Sequence, residues 1–189
     1  MTETNNNNDG IIIGEISKVA NRSPRINRIL SMFLDHCIMC LLILPLGFLI
    51  FGILYKLEKY FNPTFGVMLI FIPFFIYLNK DFFNAKSPAK RILGFQVIDR
   101  KTNNPANELQ CFIRNLTICI AWPLEVIVGL INPERRIGDF LANTKVITSK
   151  KEKFKSIWTD IKSTKLKINF IGILIIGGLY FYGLSKLLY

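Results

Sequence analysis

Two apolar stretches of 19 residues without a charged side chain, residues 37–55 and 61–79, constrain this chain more than any other feature. As an α-helix, at about 1.5 Å per residue, each stretch is long enough to cross the hydrocarbon core of a bilayer, about 30 Å thick. A third stretch, residues 168–185, contains 18 uncharged residues and several glycines. We therefore predict an α-helical integral membrane protein with three transmembrane helices, at about residues 29–55, 61–79 and 168–189.

A weaker apolar run lies at residues 112–131. It contains Arg114 and Glu125, and Trp122 and Pro123 interrupt it in the middle. A charged side chain facing lipid costs about 2.5–3.5 kcal/mol on insertion scales, so a simple span is disfavoured. We predict that this run forms a re-entrant or interfacial helical hairpin that breaks at Trp122–Pro123; the alternative is a fourth span.

The distribution of Lys and Arg predicts the orientation. The chain has a formal net charge of +11, and its 24 basic residues lie mainly between the apolar runs. Residues 1–28 carry four, 56–60 two, 80–110 six and 132–167 ten. If residues 112–131 enter and leave on one side, 20 of the 24 share a side, which the positive-inside rule makes cytoplasmic. We predict a disordered, cytoplasmic N-terminus at residues 1–24. Two short strands, at about residues 95–98 and 144–148, would pair on the cytoplasmic side.

Three segments carry a resemblance to a known family. They are NRILSMFLDHCIM (27–39), AKSPAKRILGFQVID (85–99) and RRIGDFLANTKVI (135–147). In residues and in order they resemble the conserved segments of the RDD family of membrane proteins, over roughly residues 25–148; the final span lies outside this resemblance. Ala85, Ala89 and Asn143 stand where the family pattern has glycine. The resemblance implies a multi-pass protein of the bacterial cytoplasmic membrane, in a family mostly without an assigned activity, for which transport has been proposed.

The motif residues of this resemblance are Arg28, Asp35 and Asp139. Arg28 and Asp35 are seven residues apart, so they lie on one face of the first helix, about 10 Å apart along its axis. An ionisable group at the depth of Asp35 indicates a functional site that binds a cation or carries a proton. The alternative is a permanent ion-pair network among the three that locks the hairpin and strands to the first helix. The secondary candidates are Arg114, Glu125, Lys90 and Thr144.

Two classes of function are compatible with these features. The first is transport of small cations or protons through Asp35, with the protein acting as a homo-oligomer because three spans are few for a pathway. The second is a non-catalytic membrane scaffold that recruits partners or anionic lipids through its basic cytoplasmic face. Lys90 and Arg91 and the segment 149–167 are the predicted headgroup contacts. Within that segment, residues 152–163 are predicted to form an interfacial amphipathic helix whose apolar face consists of Phe154, Ile157, Trp158 and Ile161.

Other classes are disfavoured by the motifs and the composition. The sequence contains no HExxH, GxSxG or P-loop motif, so we predict that the protein is not an enzyme. With a single histidine and four cysteines, all in apolar surroundings, neither a metal nor a cofactor is predicted. The basic stretches lack an aromatic stacking platform, so nucleic acid is not an expected partner.

Overall fold

The computed structural model describes residues 24–57, 63–163 and 168–188, and within these ranges it contains eight helices and two short strands. The predicted disordered segment lies almost wholly outside them. In chain order the elements are α1 (Pro24–Lys56), α2 (Pro63–Leu78), α3 (Pro88–Leu93), β1 (Phe95–Asp99), α4 (Glu108–Leu116), α5 (Ile118–Ile131), α6 (Ile137–Leu141), β2 (Thr144–Thr148), α7 (Lys155–Ser163) and α8 (Ile168–Leu188).

Two helices of the described residues are long and apolar enough to cross a membrane, α1 from Arg25 to Lys56 and α8 from Ile168 to Lys186. Both expose large apolar side chains along their length, such as Phe48 on α1 and Leu179 on α8, as expected for surfaces that contact lipid. The remaining predicted span, residues 61–79, corresponds to α2, which is shorter than α1 and α8. Helix α2 has 16 residues, which corresponds to about 24 Å and falls short of a 30 Å core.

The run predicted as a hairpin is a bent pair of helices. The axis turns by 109° between Glu108–Leu116 and Ala121–Ile131, so the pair is either one broken span or a re-entrant loop. The break falls earlier than predicted, since it lies between Leu116 and Ala121, where Ala121 has the non-helical angles φ −132° and ψ 34°. Pro123 itself sits in the first turn of the second arm. In a continuous helix the proline ring would clash with the carbonyl four residues earlier, which explains why the break lies before Pro123.

The two predicted strands pair with each other. Strands β1 and β2 are antiparallel, with Phe95 opposite Thr148 and Asp99 opposite Thr144. Val97 and Val146 face each other in this register and are buried in a small apolar cluster that includes Ala85 and Cys111. The pairing brings the segment before α4 next to the segment after α6, which positions both ends of the bent pair.

The main core lies where α1, α2, α4 and α8 meet. Leu78, Phe112 and Ile173 are fully buried there, and the rings of Phe71 and Phe181 stack with centroids 4.8 Å apart. Helix α8 therefore packs on the other helices through its aromatic and branched side chains. The family resemblance predicted from the sequence did not include this helix.

Two of the three positions that depart from the family's glycine pattern have a left-handed backbone. Ala85 has φ 54° and Asn143 has φ 53°, whereas Ala89 is a helical residue of α3. For an alanine this conformation costs about 1–2 kcal/mol, and glycine adopts it without that cost. The glycine pattern thus marks a backbone requirement at residues 85 and 143 but not at 89.

We expect Ala85→Gly to raise the free energy of unfolding by about 1 kcal/mol, because it relieves the left-handed strain. The matched variant Ala89→Gly should lower it by about 0.5–1 kcal/mol, because glycine is unfavourable within a helix. Both are read from unfolding in detergent. A gain in stability for both variants would show that backbone strain is not what distinguishes the two positions.

Candidate functional site

Eight charged side chains are buried together at one end of the helices, and each has at most 4% of its surface exposed. They comprise four cations and four carboxylates, so the formal charge of the group is zero. The members of this buried charge network are Arg28, Asp35, Asp81, Lys90, Arg114, Glu125, Arg136 and Asp139. Buried charges are tolerated only when they are paired and hydrogen-bonded, and both conditions can be examined residue by residue.

Asp35 of α1 binds the start of α3. Its Oδ2 accepts hydrogen bonds from Ser87 Oγ at 2.6 Å and from Lys90 Nζ at 3.1 Å, and its Oδ1 accepts from the Ala89 amide at 3.1 Å. The ammonium group of Lys90 also lies 2.7 Å from Asp81 Oδ1. One lysine therefore bridges two buried carboxylates, one on the first helix and one in the turn after α2.

Arg114 of α4 forms the second bridge. Its Nη1 donates to Asp81 Oδ2 at 2.7 Å, and its Nε donates to Asp139 Oδ1 at 2.7 Å. Asn115, the next residue, donates to Asp81 Oδ2 at 3.2 Å and to the Leu78 carbonyl at 2.9 Å. The planar guanidinium suits this role because it presents several donors in fixed directions.

Asp139 joins the start of α6 to its surroundings. Besides Arg114, it accepts from Thr144 Oγ1 at 2.8 Å and from the Arg136 amide at 3.2 Å, and Arg28 Nη2 lies 3.5 Å from its Oδ2. Arg28 of α1 thus reaches the hairpin side of the network, while Asp35 of the same helix reaches α3.

Glu125 is held by Thr117, which lies between α4 and α5, and by the segment at the start of α6. It accepts from Thr117 Oγ1 and, at 2.9 Å, from the Gly138 amide, and its Oε2 lies 3.4 Å from Arg136 Nε. Arg136 also donates to the side-chain oxygen of Asn115. The carboxylate of the second arm therefore closes the bend onto both neighbouring helices, which explains how a charge in an apolar run is accommodated.

The surrounding cations keep the carboxylates outside the spans ionised. Burial opposes ionisation of Asp81, but Lys90 and Arg114 outweigh it and hold its pKa well below the usual range. Burial likewise opposes ionisation of Asp139, and the guanidinium groups of Arg114, Arg136 and Arg28 hold its pKa well below the usual range. Both are therefore anions at neutral pH. Their contribution to stability is complete above the unfolded-state pKa, about 3.9, and is lost as pH falls below it.

Lys80 lies next to the network, but there burial outweighs the neighbouring charges in setting the pKa. It is half-buried, and its ammonium group lies 4.7 Å from the centroid of the Tyr77 ring. Burial lowers the pKa of Lys80 from 10.5 to about 7, although the charge of Asp35 acts in the opposite direction. The unfolded chain keeps this proton to a higher pH than the folded chain does.

We therefore expect the free energy of unfolding to rise with pH across the range between about 7 and 10.5. One proton is released on folding in this window, so the slope has an upper limit of about 1.4 kcal/mol per pH unit. Unfolding of Lys80→Met in detergent should lack this part of the slope, whereas the exposed Lys101→Met should retain it. An unchanged slope in Lys80→Met would assign it to another group.

The structure brings together all the candidate site residues predicted from the sequence. Their pairing could not be inferred from their spacing along the chain. Arg28 contacts Asp139 directly, but Asp35 reaches Asp139 only through Lys90, Asp81 and Arg114. The secondary candidates Arg114, Glu125, Lys90 and Thr144 all contact network carboxylates or belong to them.

Sequence reasoning missed Asp81 and did not assign a site role to Arg136, Ser87 or Asn115. Asp81 is the shared partner of Lys90 and Arg114, so it is central to the network. The signal was present, because Asp81 is the first acidic residue after an uncharged run of 19 residues. A carboxylate at that point is placed at the end of a membrane helix and requires a partner.

The prediction that Lys90 and Arg91 contact lipid headgroups was wrong. Both side chains are buried, with 3% and 1% of their surface exposed. Lys90 belongs to the network, and Arg91 donates to Glu152, Ser156 and Asp160 and to the Phe83 carbonyl. Basic residues next to an apolar run can thus form ion pairs with carboxylates of the same chain, which leaves them unable to bind lipid headgroups.

His36 follows Asp35 but points away from the network. Its Nδ1 lies 3.1 Å from Tyr77 Oη, its Nε2 lies 3.5 Å from Cys40 Sγ, and its ring lies near Trp122. These side chains line a mostly apolar cavity of about 300 Å³. Across residues 24–57, 63–163 and 168–188, no three His, Cys, Asp or Glu side chains are grouped as a metal site requires.

These features define a class: a mostly helical membrane protein whose helix ends are joined by a buried, charge-balanced network. The chain matches the RDD family over residues 22–186, so it belongs to the RDD family. The family resemblance inferred from the motifs is confirmed, and the match extends beyond residues 25–148 to include most of α8. No curated protein and no solved structure matches the chain.

Proposed function

We propose that this protein transports a small monovalent cation across the bacterial cytoplasmic membrane, at a site formed by Asp35, Lys90 and Asp81. The observation that carries the proposal is the double ion pair of Lys90, whose ammonium group lies within 3.1 Å of one carboxylate and 2.7 Å of the other. Without the Lys90 ammonium group, Asp35 would have no ion pair within the described residues, whereas Asp81 would keep its ion pair with Arg114.

An exchange of cations follows from this charge balance. A Na⁺, Li⁺ or K⁺ ion changes places with the ammonium group of Lys90 and takes over its positive charge between Asp35 and Asp81. Carboxylate and hydroxyl oxygens suit such hard cations. Ser87 Oγ and the Ala89 amide already hold the Asp35 carboxylate, so its position does not depend on Lys90 alone. Return of the Lys90 ammonium group to the two carboxylates releases the cation.

The proposed orientation places the N-terminus, the network and the strand pair on the cytoplasmic side. The segment counts of basic residues support it, and the 109° turn of the bent pair is compatible with a run that re-enters rather than crosses. Because few helices are available to enclose a pathway, the protein would act as a homo-oligomer. A cysteine introduced at Ser149 should resist an impermeant maleimide added outside intact cells; labelling there would reverse the orientation.

Cation flux in proteoliposomes tests the proposal. Lys90→Arg keeps a cation between the carboxylates, but its planar guanidinium binds them through several donors in fixed directions. We expect flux to fall by about 100-fold or more, because the transported cation no longer displaces this group. Lys86→Arg is the matched control, since Lys86 is also a buried lysine of this segment but pairs with Glu152 outside the network. It should retain wild-type flux.

The second candidate is a non-transporting scaffold, which the balance of charges in the network favours. Each network carboxylate has at least two hydrogen bonds, and the four cations balance the four anions. On this reading the network only locks the helices together. Absence of flux for the wild-type protein with Li⁺, Na⁺ and K⁺ over a range of pH would support the scaffold, and equal flux in Lys90→Arg and wild type would remove Lys90 from the exchange step.

A further inference from the structure

We infer that α7 lies on the membrane surface and binds the headgroups of anionic phospholipids, through a face that the exchange site does not use. The inference rests on three independent observations: the way in which α7 is attached, the side chains that it exposes, and the groove that it borders.

Arg91 attaches α7 to the rest of the protein. Its guanidinium group donates to Glu152 at 2.7 Å, to Ser156 at 2.9 Å and to Asp160 at 2.6 Å. Lys86 forms a second ion pair with Glu152. Because Arg91 is 1% exposed, this attachment is internal and fixes the rotation of α7 about its axis. Glu152 and Asp160 therefore face the protein.

The opposite face of α7 is apolar and exposed. Phe154, immediately before the helix, is 53% exposed, Trp158 is 68% exposed and Ile161 is 39% exposed. Their spacing of four and three residues places them on one side of a helix. Tryptophan and phenylalanine opposite a polar face are typical of helices that lie in the plane of the membrane interface.

Lysines flank this apolar face, and they give it its charge. Every lysine in residues 150–163 is exposed, and none forms an ion pair within the described part of the chain; they are Lys150, Lys151, Lys153, Lys155 and Lys162. The acidic residues of the same stretch, Glu152 and Asp160, are bound to Arg91 on the inner side. The segment thus turns its anions inward and its cations outward, which complements an anionic surface.

A groove connects this face to the candidate spans. It has a volume of about 520 Å³ and lies between the end of α2, Ile161 of α7 and the start of α8, with Phe82, Phe83 and Phe170 among its walls. Helix α8 begins five residues after α7 ends. The apolar face therefore continues directly into surfaces that contact lipid. We expect an acyl chain of the bound phospholipid to occupy this groove and the phosphate of the same lipid to contact the lysines.

The test uses the full chain in lipid nanodiscs. Trp122→Phe leaves Trp158 as the sole tryptophan. Nanodiscs of phosphatidylcholine and phosphatidylglycerol are prepared with bromine on the acyl chains of one lipid or of the other. We expect quenching of Trp158 by brominated phosphatidylglycerol to exceed quenching by brominated phosphatidylcholine by about threefold at equal mole fraction, because several lysines attract the anionic lipid. Should Trp122→Phe fail to accumulate, the same quantity is the difference between wild type and Trp158→Phe.

Two controls separate lipid recognition from simple exposure. Replacing the five lysines by glutamine should make the two quenching values equal, as should 1 M salt, in which the screening length falls to about 3 Å. Replacing Lys101 and Lys145, which lie away from α7, should change nothing. Equal quenching by both lipids in the wild-type protein would overturn the headgroup inference. Absence of quenching by either lipid would place α7 in water or against a protein partner and would also overturn it.

Discussion

Replacing Arg114 with leucine is expected to prevent the protein from accumulating in the membrane. Arg114 is fully buried and supplies a donor at 2.7 Å to each of Asp81 and Asp139. Leucine fills part of the volume but leaves two buried carboxylates short of a cation. Removing one partner of a buried ion pair costs about 3–5 kcal/mol, a large fraction of the 5–15 kcal/mol that stabilises a typical domain.

The control for this prediction is Arg100→Leu. It makes the same chemical change at an exposed position in the turn after β1, so its effect should be small, within about 0.5 kcal/mol. The amount of protein in the membrane fraction and its unfolding in detergent measure both variants. Adding Asp81→Asn to Arg114→Leu should restore part of the loss, because it removes one of the two stranded charges. If Arg114→Leu proved as stable as Arg100→Leu, the network would not hold the helices together.

The regular elements could be predicted because each depends on a local pattern. The uncharged runs predict α1 and α8, and the short apolar stretches predict β1 and β2, because burial of such segments requires backbone hydrogen bonds within or between them. The length of α2 could not be read in the same way. The run of uncharged residues extends to Asn79, but the helix ends at Leu78, and the chain then turns toward the network.

The partners within the site depend on distances that the sequence does not contain. Asp35 and Lys90 are 55 residues apart, and Arg91 and Asp160 are 69 residues apart. Spacing along α1 correctly placed Arg28 and Asp35 on one helix. It could not show that these two residues bind different elements, because that depends on the path of the turn before α3 and on the position of the break before α5.

The buried ion pairs also reduce the number of basic residues that are available at the protein surface. Arg28, Lys86, Lys90, Arg91 and Arg136 belong to the segments whose basic residues predict the orientation, yet all five are buried and bonded to carboxylates in the fold. Insertion precedes this pairing, so their charges still count toward orientation. After folding, the charges that remain on the surface include the exposed lysines around α7, which is where a lipid contact is expected.

Gly138→Ala is expected to be as damaging as the loss of a buried charge, although it adds only a methyl group. A Cβ at residue 138 would lie 1.9 Å from the Arg114 carbonyl oxygen and 2.7 Å from Thr117 Oγ1. The first neighbour is backbone, so it cannot rotate away. The amide of Gly138 also donates to Glu125 at 2.9 Å, which limits any shift of α6.

Relief of this clash requires α4 and α6 to separate, and their separation would stretch the 2.7 Å contact between Arg114 and Asp139. We therefore expect a loss of about 3 kcal/mol or more, at the upper end of overpacking effects because an ion pair opens as well. Gly178→Ala on α8 is the matched control, since its Cβ would meet nothing within 4 Å. It should be neutral or stabilise the helix by up to about 1 kcal/mol. Unfolding of the two variants in detergent measures the difference, and equal stability would mean that α4 and α6 do not meet so closely at residue 138.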